Sequence, residues 1–138
     1  TKYTETGDEY LNQLYRYDLD SGQTTLLSDE DQFGDTLPGW SPDGGQIAVV
    51  RREWQDGEAG LGDQVWLFDT AENNFRQLTF QDGIIHGAAD WSPDGEALVY
   101  HIYDLNSSGK PEQIQILVIA TGEVIEVTAP GNSPRWLP

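Results

Sequence analysis

The pentapeptide Trp40-Ser41-Pro42-Asp43-Gly44 returns letter for letter as Trp91-Ser92-Pro93-Asp94-Gly95, 51 positions later. Each copy leads into an apolar run, Ile47-Ala48-Val49-Val50 or Ala97-Leu98-Val99-Tyr100. Proline presets φ at the first central position of a turn, aspartate bonds its own backbone two residues on, and glycine accepts the positive φ at which the chain re-enters a sheet. A turn of that kind ahead of an apolar run predicts a β-hairpin, made twice.

The repetition extends well beyond the turn. A shift of 51 lays Gln13-Leu14-Tyr15-Arg16-Tyr17-Asp18 on Gln64-Val65-Trp66-Leu67-Phe68-Asp69, and Leu27-Ser28 on Leu78-Thr79. A further shift of 49 carries Gln64-Val65 onto Gln113-Ile114 and Leu78-Thr79 onto Val127-Thr128. One unit is thus written three times, and a period of about 50 residues points to a solenoid or a propeller. In the middle unit, strand a ends at Trp40, b covers about 46–51, c about 64–69 and d about 74–79. The cd connections are Asp20-Ser21-Gly22, Glu72-Asn73-Asn74 and Thr121-Gly122. Turn residues between β-branched and aromatic runs, with no helical period, predict an all-β fold with four antiparallel strands in each unit. That is the make-up of a propeller blade.

These same residues carry a resemblance. The Trp-Ser-Pro-Asp-Gly turn, the apolar b strand, the Gln64-Val65-Trp66-Leu67-Phe68-Asp69 c strand and the Arg76-Gln77-Leu78-Thr79 end of d resemble the WD-like repeat of TolB-type β-propellers, over nearly the whole chain. Similar blades occur in the propeller domains of prolyl-oligopeptidase-type proteases and of oligogalacturonate lyases. The resemblance implies a β-propeller placed outside the cytoplasm, periplasmic or extracellular. It fixes no activity, because function resides in sites grafted onto a fold.

Blade boundaries follow from the repeat. Residues 1–32 hold the c and d strands of a first blade, 33–80 and 81–129 are complete blades, and 130–138 is the first strand of a following one. Residues 1–5 fall where a b strand would be finishing. The chain begins at Thr1 and contains no methionine, which reads as a processed chain or an excised piece. Two complete blades plus two parts of a third do not close a ring, since propellers typically have about four to eight blades. Two readings stay open: a partial propeller, or half of a six-bladed ring closed by dimerisation. In the second, the amino-terminal c and d strands of one copy complete the blade begun by the other copy's Trp136 strand. Either way an open end would expose apolar blade faces and strand edges.

Composition narrows the function classes. The formal net charge is -17, from 24 acidic and 7 basic side chains, with lysine only at Lys2 and Lys110. Such a surface repels phosphate backbones and anionic lipid, so no nucleic-acid partner is expected, and a cationic partner is favoured. The same charge also serves solubility or adaptation to salt. No stretch approaches the roughly 18 apolar residues of a membrane span, so no membrane insertion is expected. Cysteine is absent, which removes disulfides, thiolate chemistry and cysteine-ligated zinc.

Sites of chemistry are few. His86 lies in the connection from d to the next a, and His101 at the end of a b strand, places that share one face of a propeller. A metal or general base there is conceivable, but the repeat sets Asp35 opposite His86 and Arg52 near His101, and two unrelated histidines are the simpler reading. Oligogalacturonate-lyase-like propellers use a histidine-rich metal site, and two histidines do not carry it over. No metal or cofactor is expected. Asp18-Leu19-Asp20-Ser21-Gly22 opens like a calcium loop, yet its glycine comes fifth where that loop needs it sixth, and the sibling turns break the pattern. It reads as a hairpin turn, as do Asp43 and Asp94. Asn106-Ser107-Ser108 fits a glycosylation sequon. No Gly-x-Ser-x-Gly elbow, phosphate loop or His-Glu-x-x-His occurs, so no catalytic residue is expected.

Trp40, Trp91 and Trp136 recur at one position of the unit and are expected in core or inter-blade packing. Trp54 does not recur. It sits in the stretch 51–63, read as a long, glycine-rich bc connection, either as a binding anchor flanked by Arg51 and Arg52 or packed on a neighbouring loop. The same face would gather Asp29, Glu30, Asp31, Asp35, Asp56, Glu58, Asp63 and Asp82 into an acidic rim. The expected function is a non-catalytic binding or scaffolding module for a protein or peptide, locally cationic, using Trp54, His86, Asp35, Arg52, Asp56 and Asp82. The alternative is an accessory propeller of a hydrolase or lyase that gates or presents substrate.

Overall fold

The computed structural model describes residues 11–28, 31–107 and 109–137, with the side chains of 128 and 129 left aside. Residues 1–5, Asp29, Glu30 and the Ser108 of the sequon lie outside the described residues. All regular structure among the described residues is β. A first hairpin joins β1 (Tyr15–Tyr17) to β2 (Thr24–Leu26). The middle unit holds β3 (Phe33–Trp40), β4 (Gln46–Gln55), β5 (Glu58–Ala59), β6 (Gly62–Asp69) and β7 (Asn74–Gln77). The next holds β8 (Ile84–His86), β9 (Asp90–Trp91), β10 (Ala97–Asp104), β11 (Gln113–Val118) and β12 (Val124–Pro130).

Within each unit neighbouring strands run antiparallel in sequence order. In the middle unit β3 pairs with β4, β4 with β6 and β6 with β7. In the next, β8 and β9 together pair with β10, β10 with β11 and β11 with β12. The short a strand of that unit is split because Gly87-Ala88-Ala89 interrupts it. A Cβ at Gly87 would run into the His101 ring, so the close approach of that ring requires glycine.

The repeated turns have one geometry. Ser41 Oγ donates to Asp43 Oδ1 at 2.7 Å and accepts from Gln46 N at 2.9 Å, while Gly45 N donates to the same carboxylate oxygen at 2.9 Å. In the second copy Ser92 Oγ donates to Asp94 Oδ1 at 2.6 Å and accepts from Ala97 N at 2.9 Å, while Glu96 N donates to that carboxylate oxygen at 3.0 Å. Gly44 and Gly95 take φ of 73° and 75°, where a Cβ would be strained. Hydrogen bonds to the Ser hydroxyls and backbone amides hold the Asp43 and Asp94 carboxyls below the usual carboxylate range. The recurring Leu-Ser and Leu-Thr pairs also gain a reason. Leu14 N donates to Ser28 Oγ at 2.7 Å and Val65 N to Thr79 Oγ1 at 2.9 Å, so each hydroxyl satisfies the main-chain amide at the matching position of its unit.

Packing stacks the units face to face. Along β4, Ile47 and Val49 point to one side and Ala48 and Val50 to the other, and all four are buried. A strand covered on both faces reads as an unbroken apolar run rather than an alternating one. On one side Leu14, Leu27, Ile47 and Phe68 form a cluster with Phe75 against it. On the other, Ala48, Val65 and Leu67 meet Trp91, Leu98, Tyr100 and Leu117 of the next unit. Burying a side chain such as Leu98 or Phe68 contributes about 1.5–3 kcal/mol.

One boundary differs from the sequence reading. The b strand continues past residue 51 to Gln55, and the supposed long loop is a hairpin, with Trp54 opposite Ala59 and Gln55 opposite Glu58. Asp56 (φ 54°) and Gly57 (φ 81°) form its two-residue turn. Asp-Gly supplies the two positive φ values that a tight hairpin with right-handed twist demands.

The three tryptophans also part company. Trp91 is 8% exposed and its Nε1 donates to the Gly39 carbonyl of the preceding unit at 3.0 Å. Trp40, at the matching position, is 51% exposed; among the described residues β3 pairs only with β4, and no a strand of an earlier unit receives its indole. Trp136 is half-buried, its backbone N–H donating to Asp90 Oδ2 at 2.8 Å.

Candidate functional site

Antiparallel order sends the bc and da connections to one end of the units, and hydrogen bonds tie them together there. Gly60 N donates to the Glu53 carbonyl at 2.7 Å and Gly83 N to the Leu61 carbonyl at 2.8 Å. Gln64 reaches across with both ends of its amide: Nε2 donates to the Gln81 carbonyl at 2.7 Å, and Oε1 accepts from Gln81 N at 3.1 Å and Thr79 Oγ1 at 2.9 Å. A parallel bridge between β6 and β8, Gly62 opposite Ile84, joins this corner to the next unit. Gly62 has φ 107°, and a Cβ there would strike the Ile84 carbonyl, so only glycine permits the contact.

The residues expected at this end fall into separate environments. Asp35 is buried, not on a rim: its Oδ1 accepts from Arg51 Nε at 2.7 Å, across the β3–β4 register that sets the two residues opposite each other. The Arg51 guanidinium lies 3.7 Å from the Phe75 ring centroid, 4.3 Å from that of Phe33 and 5.2 Å from that of Trp66. A cation so enclosed needs a buried counter-charge, and Asp35 is one.

His86 is buried as well. Its Nδ1–H donates to the Asp63 carbonyl at 2.6 Å, crossing from one unit to the other, and its ring stacks at a tilt on Tyr100, 5.3 Å between centroids. Burial lowers the His86 pKa against the opposing pull of that hydrogen bond and of Asp63's charge, and burial pushes the Tyr100 hydroxyl up to about 12. The histidine is therefore an interlock between units and not a surface group. His101 is one residue out of register with it, since Ile102 is the partner of His86, so its ring points to the other face of the sheet. There it lies over Gly87, 3.9 Å from Glu112 and accepting from Ser133 N at 3.2 Å. The two histidines do not share a site.

Arg52 makes a bidentate pair with Asp63, Nε to Oδ1 and Nη2 to Oδ2. That pairing, by hydrogen bond first and charge second, raises the Arg52 pKa. Trp54 is half-buried, its indole over Gly34 and a Cβ there 3.5 Å from Nε1, with Leu11 alongside. It packs on the neighbouring strand. Asp56 and Asp82 are exposed, each in a turn.

Between these turns opens a cleft of about 200 Å³ that the sequence reading missed. Phe33, Arg51 and Trp66 form its floor, Leu61 and Phe80 its lips, and Glu53 and Asp82 its charged mouth. Leu61 and Phe80 are each 74% exposed. An apolar residue inside Gly60-Leu61-Gly62, and an aromatic one just after Leu78-Thr79 where the shift of 51 has Asp29, were the signals available.

Stacked four-stranded antiparallel units with their loops tied at one end define a class, the β-propeller, and the units are blades of one. Their likeness is to TolB. The Tol-Pal system protein TolB of Alcanivorax borkumensis is 37% identical over 87 residues, which is 62% of this chain and 18% of that protein. The crystal structure of TolB from Acinetobacter baumannii superposes with a TM-score of 0.67 at 21% identity, over 90% of this chain and 29% of that one. The oligogalacturonate lyase of Vibrio parahaemolyticus follows at 0.64 and 14%, over 86% and 30%, a likeness of fold alone. The chain thus spans less than a third of each of these relatives. No family model matches it.

Proposed function

We propose that this chain is a non-catalytic binding or scaffolding module that presents the end carrying its bc and da connections to a protein or peptide, outside the cytoplasm. The observation that carries the reading is the pair Leu61 and Phe80, both held well out of the core on a corner that hydrogen bonds have made rigid. Exposed apolar side chains on a fixed frame, rimmed by charge, mark interaction surfaces. The exposed acids Asp56, Glu58 and Asp82 favour a locally cationic partner. The TolB likeness supports a periplasmic setting. Immobilised peptides graded in charge test this: basic peptides are expected to bind, more weakly at about 150 mM than at about 20 mM salt. The variant Asp56→Asn/Asp82→Asn should weaken them further. Peptide binding that ignores charge, salt and these substitutions would refute the reading.

A second reading concerns assembly and rests on Trp40. With Leu37 beside it, also 51% exposed, this indole forms an apolar wall where Trp91 shows how a following unit is covered. A second copy closing a six-bladed ring head to tail would cover it. Light scattering on a sizing column decides: a mass near twice 15.4 kDa supports closure, and a monomer across the concentration range rules it out.

A further inference from the structure

The cleft between Leu61 and Phe80 is specific enough to name what enters it. Its volume, about 200 Å³, is below the roughly 300–1,000 Å³ of sites for drug-sized ligands and suits a single long side chain. Its floor is aromatic: Phe33 and Trp66 meet edge to face, 5.5 Å between centroids and 64° between planes. Its lips are apolar and its mouth carries two carboxylates. Glu53 and Asp82 are exposed, and neither forms an ion pair among the described residues, whereas Arg51 beneath is already matched by Asp35.

Resting on the binding-module reading, we infer that this cleft is a subsite for an arginine side chain of the partner peptide. The aliphatic stem would lie between Leu61 and Phe80, removing apolar surface from water on both sides. The guanidinium would stack on the Phe80 face and reach Glu53 and Asp82. Arginine suits the site better than lysine, because its weakly hydrated plane stacks on an aromatic ring while its fork of donors serves carboxylates. The frame needs no rearrangement, since Gln64, Gln81, Gly60 and Gly83 already fix both lips.

Capped arginine amide and its neutral isostere, capped citrulline amide, are the probes, and the side-chain N–H signals of Trp66 and Gln64 are the readout by NMR. Arginine is expected to shift both signals saturably, with a dissociation constant on the order of 1 mM. Citrulline should bind at least about tenfold more weakly. Glu53→Gln/Asp82→Asn should also cost about tenfold; both positions are exposed, and an otherwise unchanged amide spectrum confirms the fold. No saturable shift, equal shifts from citrulline, or an unaffected variant would each overturn the proposal. Shifts confined to residues 56–58 would overturn the cleft and leave the binding-module reading standing. Silence of both loops toward every basic peptide would remove the two together.

Discussion

Replacing Asp35 with alanine removes the carboxylate 2.7 Å from Arg51 Nε and leaves the guanidinium enclosed by Phe33, Trp66 and Phe75. Both side chains are 1% exposed, so little water reaches the pair in the intact chain. Breaking a buried pair from one side costs about 3–5 kcal/mol, most of it the penalty of a buried cation that has lost a carboxylate. At roughly 3–5 °C per kcal/mol for a chain of this length, Tm should fall by roughly 9–25 °C. The double replacement Asp35→Leu/Arg51→Met removes both charges and keeps apolar volume, and should recover at least about half of the loss. Urea unfolding followed by tryptophan fluorescence measures both variants, and an unchanged m-value shows that the cost is one of stability. A loss below about 1 kcal/mol, or a double variant no more stable than the single one, would refute the argument that Asp35 is a structural counter-ion.

Two further outcomes follow from the joints between units. Trp91→Phe deletes the hydrogen bond to the Gly39 carbonyl and should cost about 1 kcal/mol or more, whereas Trp40→Phe in the monomeric chain should stay within about 0.5 kcal/mol; equal costs would refute the difference drawn between them. Burial holds the His86 pKa below its ordinary 6.5, so the unfolded chain binds the proton more readily, and His86's contribution is complete above about pH 6.5 and lost as pH falls toward the lowered value. His86→Gln should flatten the stability profile just below about pH 6.5, and an unchanged slope there would refute the assignment.

The repeat made the four-stranded unit legible, because turn chemistry and apolar runs are local and recur in phase. What it hid were features that depend on a partner strand. Asp35 looked like one more acid until β3 paired with β4 and set it against Arg51. In hindsight the repeat pointed there, since Asp35 aligns with His86 and both are buried polar groups at the start of an a strand. The hairpin beyond residue 51 was readable from Asp56-Gly57, but the glycines around it suggested an open loop. Trp40 and Trp91 open the same pentapeptide, and the difference in their burial was hidden because a periodic reading gives every copy the same neighbours. The cleft stayed invisible because its lips come from two connections about 20 residues apart, brought together by the Gly83 to Leu61 hydrogen bond.

The Ser-Pro-Asp-Gly turn completes its hydroxyl, carboxylate and amide bonds within residues 41–46, and again within 92–97. The bonds that join one unit to the next are different in kind, for Trp91 needs a carbonyl at Gly39 and His86 one at Asp63. A gene segment coding for such a unit can therefore be duplicated whole. Each new copy brings its corners finished, and at Trp91 and His86 it asks of its predecessor a main-chain oxygen, which every residue supplies. Rings of different size can then arise by counting alone, with no corner redesigned.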